Sequence, residues 1–280
     1  MDAGSISIII ILINLAVSWK GLTNDAFYER HIFGVDRILI NKEYGRLITS
    51  GFLHVNWMHL IFNLIALYAF SAGIEYYLGS ASYLLIYFAS LIGGNLFSLF
   101  IHRHDGSFRS AGASGAISGI IFASIALFPG FHIGFFFLPL SIPGWLFGVV
   151  YVLYSIYGIR SKTDNVGHEA HLAGAVVGML IGIAIEPAAI RTNYVAITAI
   201  LVPAIIFIYF IITRPYLLLV DNSFFKSQQR YYSIDHRYNA EKRDRQQEID
   251  RLLEKIHKQG MKSLTKKERE FLSEYSKVVN

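Results

Sequence analysis

In this chain of 280 residues, one serine set among small residues and a few histidines with an asparagine have the types and spacing to do chemistry. Ser114 lies within Ser110-Ala-Gly-Ala-Ser-Gly-Ala-Ile-Ser-Gly119, where an apolar run begins. His54, His59 and Asn63 stand at the start of another apolar run, and His168 and His171 at the start of a third. A serine hydroxyl becomes an effective nucleophile when an imidazole within hydrogen-bond reach takes its proton. The oxyanion that follows attack on a carbonyl needs donors, which His59, Asn63 and an N–H at a helix start can supply. The competing reading of Ser114 is packing, since Gly, Ala and Ser let membrane helices approach closely. The placement of the other groups decides between them.

The elements that carry these residues are apolar. Hydrophobic residues make up 54% of the chain and charged ones 16%, and the apolar runs recur at the length of about 20 residues that a bilayer demands. Seven spans are expected, near residues 5–19, 52–73, 82–101, 112–129, 145–159, 168–186 and 194–213. Long runs with small residues, and no short alternating segments, predict an all-α polytopic membrane protein rather than a barrel. Residues 5–19 lack a basic leader and a small-residue cleavage site and read as a span that stays.

In an up-down bundle the N-terminal ends of spans two, four and six face one side. That parity gathers His54, His59, Asn63, Ser114, His168 and His171 at one membrane face. His59 and Asn63, four apart, share a helix face. Gly115 and Gly119 on span four can pack against Gly174, Gly178 and Gly182 on span six, which carries Ser114 toward His171. Acids are scarce in or beside the spans. Glu75 reads as a hydrogen-bond acceptor at a helix end, and Glu169, two residues before His171, points away from it on a helix. A Ser-His dyad is therefore expected, without a carboxylate.

The connections and the tail differ in kind. Residues 20–51, with mixed charges and Phe27, Tyr28, Phe33 and Tyr44, look structured and interfacial. Phe135–Pro143, with prolines at 139 and 143, cannot form a regular helix and is expected to skim the surface. Residues 1–213, the membrane domain, hold ten Lys/Arg and ten Asp/Glu, whereas 214–280 hold fifteen and ten. In this basic soluble tail, Ile249, Leu252, Leu253 and Ile256 mark an amphipathic helix. Thr265-Lys-Lys-Glu268 reads as a capping box opening a second helix, giving a helical hairpin at about 239–277. Acids interleave with the bases, which favours a solvated module over nucleic-acid binding. The tail names no partner of its own.

Other function classes fit less well. With no cysteine, disulfides and thiolate metal sites are excluded. A zinc protease would need His-Glu-x-x-His, but His168-Glu-Ala-His171 is one residue short. No internal repeat suggests a transporter. No metal or cofactor is expected.

The sequence resembles the rhomboid family of intramembrane serine proteases. The matching residues are Gly112-Ala-Ser114-Gly115, the run from Ala170-His171 to Gly174 and Gly178, the His54-x4-His59-x3-Asn63 stretch, and Glu75 with Gly79, over about residues 40–186. The resemblance implies six core helices with a C-terminal seventh. It implies Ser114 as nucleophile and His171 as base and then acid, with His59, Asn63 and the Ser114 N–H forming the oxyanion hole. His54, His168, Gly112, Gly115 and Gly174 would support them. It also implies transmembrane protein substrates reached within the lipid bilayer, and we expect a multi-pass protein of a prokaryotic cell membrane. Two departures stand out. Gly45-Arg46 replaces the Trp-Arg of many members, and Ser118 stands where many carry an aromatic beneath the catalytic imidazole.

Overall fold

A computed structural model describes residues 4–135, 138–161 and 166–213, together with Leu252 and Ile256. The chain divides into two compact units, Met1–Lys226 and Ser227–Asn280. The hairpin expected at 239–277 lies outside the described residues except for Leu252 and Ile256, both of which are helical.

Among the described residues, seven apolar helices build the first unit: α1 (Ser5–Thr23), α2 (Trp57–Leu78), α3 (Ser80–Ile101), α4 (Ser114–Leu127), α5 (Gly144–Ser161), α6 (His168–Ile185) and α7 (Tyr194–Thr213). Among the described residues, α1, α2, α3, α6 and α7 are long and apolar enough to cross a membrane, by length and composition. The second span starts later than expected, because Asn56 accepts the His59 N–H at 2.8 Å and so fixes the helix start after the loop carrying His54.

Helix α4 forms the centre. Every residue from Gly115 to Leu127 is buried, the mark of a helix enclosed by others on all sides. Its neighbours α6 and α3 reach it because glycines remove the side chains that would hold them off. A Cβ on Gly174 would run into the Gly115 backbone, one on Gly178 into the Gly119 backbone, and one on Gly119 into Ser90 of α3. The pairing expected from glycine spacing is found for Gly174 and Gly178, whereas Gly182, further along α6, lies against Ala123 and Leu127 rather than a glycine. Where a methyl group cannot fit, dispersion between backbones replaces side-chain packing.

Polar groups tie the outer parts to this centre. Glu75, near the end of α2, accepts from the Ile6 and Ser7 N–H groups at 3.0 and 2.8 Å and from Ser80 Oγ at 2.8 Å. A carboxylate thus satisfies the open N-terminus of α1, the acceptor role expected for it.

The long first loop folds into short helices, Asp25–His31, Val35–Leu39 and Arg46–Thr49. Buried Arg46 organises it, donating to the Glu29 and Ile32 carbonyls at 2.9 and 2.6 Å and pairing with Glu43 at 2.6 Å. The Arg46 guanidinium holds the Glu43 carboxyl below its usual range, and Arg109 does the same for Glu29. Arg46 keeps these bonds without a preceding tryptophan, Gly45 having nothing near its Cβ position. An antiparallel pair, Phe33–Gly34 with Arg109–Ser110, brings the loop to the segment leading into α4.

Between α4 and α5 the chain forms an antiparallel hairpin of His132–Phe135 and Leu138–Pro143, with an irregular register at Gly134/Phe135. The expectation of a merely non-helical stretch becomes a specific ladder. Its prolines bar helix, and Pro143 sits at the strand end opposite His132, where a missing N–H is tolerated.

Glycine packing makes a contrast testable. Gly178→Val places atoms against the Gly119 backbone and should cost about 3 kcal/mol or prevent folding. Gly73→Ala, with open space at its Cβ, should leave stability unchanged or raise it by up to ~1 kcal/mol. Thermal unfolding in detergent micelles checks both.

Candidate active site

Helix α4 begins at Ser114, so the nucleophile candidate sits where the first N–H groups have no intrahelical acceptor and the helix dipole is positive. The approach to this point is strained. Gly112 has φ +145°, a conformation that L side chains rarely adopt, and its N–H donates to the Ser50 carbonyl at 3.1 Å. A Cβ on Gly112 would lie 2.7 Å from Cε1 and 3.1 Å from Nε2 of His59, and 3.5 Å from Ser114 Oγ. Glycine there leaves His59 and Ser114 facing one small space.

On the opposite side, α6 starts at His168 and presents His171 one turn in. Its Nε2 lies 2.5 Å from Ser114 Oγ. For the hydroxyl to donate, Nε2 must be unprotonated, so the productive ring is the neutral Nδ1–H tautomer. Both residues are half-buried. The two stand 57 positions apart in the chain. The Gly115–Gly174 approach, one residue after Ser114 and three after His171, closes that distance in space.

His59 and Asn63 sit in the first two turns of α2, where Asn63 Nδ2 donates to the His59 carbonyl at 2.8 Å. This bond keeps the amide turned toward the helix start and leaves its second N–H available. Among the described residues, His59 Nδ1 and Asn63 Oδ1 are buried with no hydrogen-bond partner. Unsatisfied buried polar atoms cost stability, and active sites are where such costs are retained.

His54 is fully buried behind them. Its Nδ1 is 2.7 Å from Ser18 Oγ, which donates to the Phe52 carbonyl at 2.8 Å. The single hydroxyl hydrogen is thereby used, so His54 Nδ1–H is the donor. Its ring meets His59 edge-on at 4.9 Å. His54 holds the loop and braces His59, and it does not reach Ser114 directly. His168 is buried, filling the space that Gly158 leaves on α5, with Tyr154 edge-on at 5.0 Å and His171 at 6.4 Å.

Glu169 turns away from His171 as expected and reaches α3, accepting from Ser98 Oγ at 3.0 Å and meeting His102 Nε2 at 3.1 Å. His102 caps the end of α3. It stacks on Phe108 and shares the Glu169 carboxylate, a pairing across 67 residues that no local pattern announces. Sequence spacing also missed Tyr151, whose hydroxyl is 2.6 Å from Ser118 Oγ.

A rhomboid domain model matches residues 41–188, more than half of the chain. The chain belongs to the rhomboid family. Similar proteins include rhomboid protease AarA of Providencia stuartii, 29% identical over 78% of this chain and 87% of that one. Rhomboid protein 1 of Saccharomyces cerevisiae mitochondria is 31% identical over 52% of this chain and 44% of its own length. The chain spans about half the length of that protein and of the mitochondrial rhomboid-like protein 12 of Arabidopsis thaliana. An inactive rhomboid protein of Drosophila melanogaster is also similar, at 27% identity. Residues 232–278 match a family of unknown function, DUF6576.

The family membership makes this a helical, multi-pass membrane protein related to intramembrane proteases. Its relatives occupy mitochondria and chloroplasts as well as bacteria, so the prokaryotic expectation does not follow from the family.

The burial of His54 generates a pH prediction. Burial, followed by the neighbouring His59 ring, pushes the His54 imidazole down to about 3, against a smaller opposing effect of Asn63. The unfolded chain binds a proton there near pH 6.5, which the folded chain refuses until about pH 3. This contribution is fully present above pH 6.5 and declines as pH falls through that window. The melting temperature should drop between pH 7 and 5, and His54→Gln should flatten the slope. An unchanged slope would assign the acid sensitivity elsewhere.

Proposed function

We propose that this chain is an intramembrane serine endopeptidase that hydrolyses a peptide bond in or beside a transmembrane segment of membrane-protein substrates. The observation that carries the reading is the 2.5 Å approach of Ser114 Oγ and His171 Nε2 at the start of α4. That helix has 14 residues and is thus about 21 Å long. A hydrocarbon core is about 30 Å thick. With the far end of α4 near one surface, Ser114 lies below the other, at a depth where a membrane segment can be met.

The chemistry follows from the groups present. His171 Nε2 takes the Ser114 proton as Oγ attacks the scissile carbonyl carbon. The oxyanion is held by donors from His59 Nε2–H, Asn63 Nδ2 and the Ser114 N–H. Collapse expels the amine, protonated by His171, and leaves an acyl ester on Ser114. Water, deprotonated by His171, attacks the ester, and the proton returns to Ser114 as the acid departs. Glu169 is committed to Ser98 and His102, so the pair works as a dyad. No cofactor enters the scheme. Residues 1–213 form the protease domain in this reading and 214–280 an accessory tail.

Reconstituted with a single-span substrate, Ser114→Ala or His171→Ala should lose at least ~10³-fold in kcat. Asn63→Ala or His59→Ala should lose about 10²-fold. Undiminished cleavage by purified Ser114→Ala sinks the reading.

A further inference from the structure

The departure at position 118 is filled from another helix. Ser118, one turn after Ser114 on α4, is buried, with its Oγ 2.7 Å from the Ser114 carbonyl oxygen and 2.6 Å from Tyr151 Oη on α5. A hydroxyl carries one hydrogen. Ser118 gives its own to the Ser114 carbonyl, so Tyr151 must donate to Ser118. The result is a directed relay: Tyr151 O–H to Ser118 O–H to the C=O of the nucleophile residue. Hydrogen bonds in such a chain polarise and strengthen one another away from water.

The relay has a fixed origin. The Tyr151 ring meets Phe122 of α4 edge-on at 5.3 Å and Phe147 of its own helix at 5.7 Å, so the phenol cannot swing freely. One turn further along α5, Tyr154 packs edge-on against His168, and Gly158 is small because His168 occupies its space. Helix α5 therefore touches the backbone of Ser114 through Ser118 and the start of α6 through His168. Side chains on α5 stand behind both members of the reacting pair.

We infer that Tyr151 is a positioning residue for Ser114, holding the nucleophile's peptide unit through Ser118 and so setting the line between Oγ and His171 Nε2. It touches no reacting atom. The inference rests on the serine-protease reading above. A purely structural tyrosine would matter for stability alone. A positioning one changes the reactivity of Ser114 in folded protein, because attack depends steeply on alignment.

The test uses the full chain in proteoliposomes, with a fluorophosphonate that labels activated serine hydroxyls and a single-span substrate. Tyr151→Phe removes the hydroxyl and keeps the ring. It should lower kcat and the Ser114 labelling rate about tenfold with KM unchanged, a change of about 1.4 kcal/mol in barrier. Ser118→Ala should give the same loss, and the double variant no further loss, since either breaks one relay. Wild-type labelling and cleavage by Tyr151→Phe would overturn the inference. So would losses that multiply to about a hundredfold, or a lowered melting temperature with an unchanged labelling rate per folded molecule. If the wild type neither labels nor cleaves, the serine-protease reading falls first and this inference with it.

Discussion

The structure depends on backbone-to-backbone contact between α4 and α6. Gly115 against Gly174 and Gly119 against Gly178 leave no room for a Cβ, and that closeness brings Ser114 Oγ to 2.5 Å from His171 Nε2. In lipid, apolar side chains gain little by leaving one apolar phase for another, so helix association rests on packing and polar contact. Small residues on α4 thus have two consequences at once. They let the helix be buried on every side, and they set the separation on which the proposed proton transfer depends. Packing and chemistry are one constraint at this point in the chain.

Around that centre, buried polar groups hold the helices in register. Glu75 ties α2 to the start of α1, Glu169 ties α6 to α3, and Asn95 of α3 donates to the Leu47 carbonyl of the first loop at 2.8 Å. Each buried carboxylate or amide would be costly alone and is acceptable with its partners. Among the described residues some buried polar atoms lack hydrogen-bond partners: Asn14 Oδ1, Ser90 Oγ and Ser155 Oγ on three different helices, and His54 Nε2, His59 Nδ1 and Asn63 Oδ1. The last three fall within ten residues of one another, in and just before the first turns of α2, where a ligand's polar groups could offset the cost.

Much of this was legible from the chain alone, for physical reasons. Helix parity is topological, so the ends of alternate spans must share a face whatever their packing. Glycines four apart share a stripe, which foretold the Gly174–Gly115 and Gly178–Gly119 approaches. Position 112 could be marked as a glycine, but its φ of +145° could not be read. The proline-rich connection excluded helix without announcing a hairpin. His102 with Glu169 and Tyr151 with Ser118 were hidden for another reason. They join helices across 67 and 33 residues, and neither helix's periodicity encodes which residue of another helix will face it. The tail hairpin falls outside the described residues save Leu252 and Ile256.

Position 118 shows how a local departure is absorbed by its surroundings. By the family resemblance, an aromatic there would pack from α4 against the His171 imidazole. A serine is too short to do so, yet on a buried helix its hydroxyl must find partners. It finds the Ser114 carbonyl within its own helix and Tyr151 on α5. The contact thereby falls on the Ser114 backbone and draws on two helices rather than one. It also acquires a dependence: the bond lasts only while α5 keeps its place against Phe122 and His168. α5 also packs against α7, where Gly148 lies so close to Ile200 that a Cβ would strike it. The seventh helix, remote from Ser114 in sequence, thus packs directly on the helix that carries Tyr151.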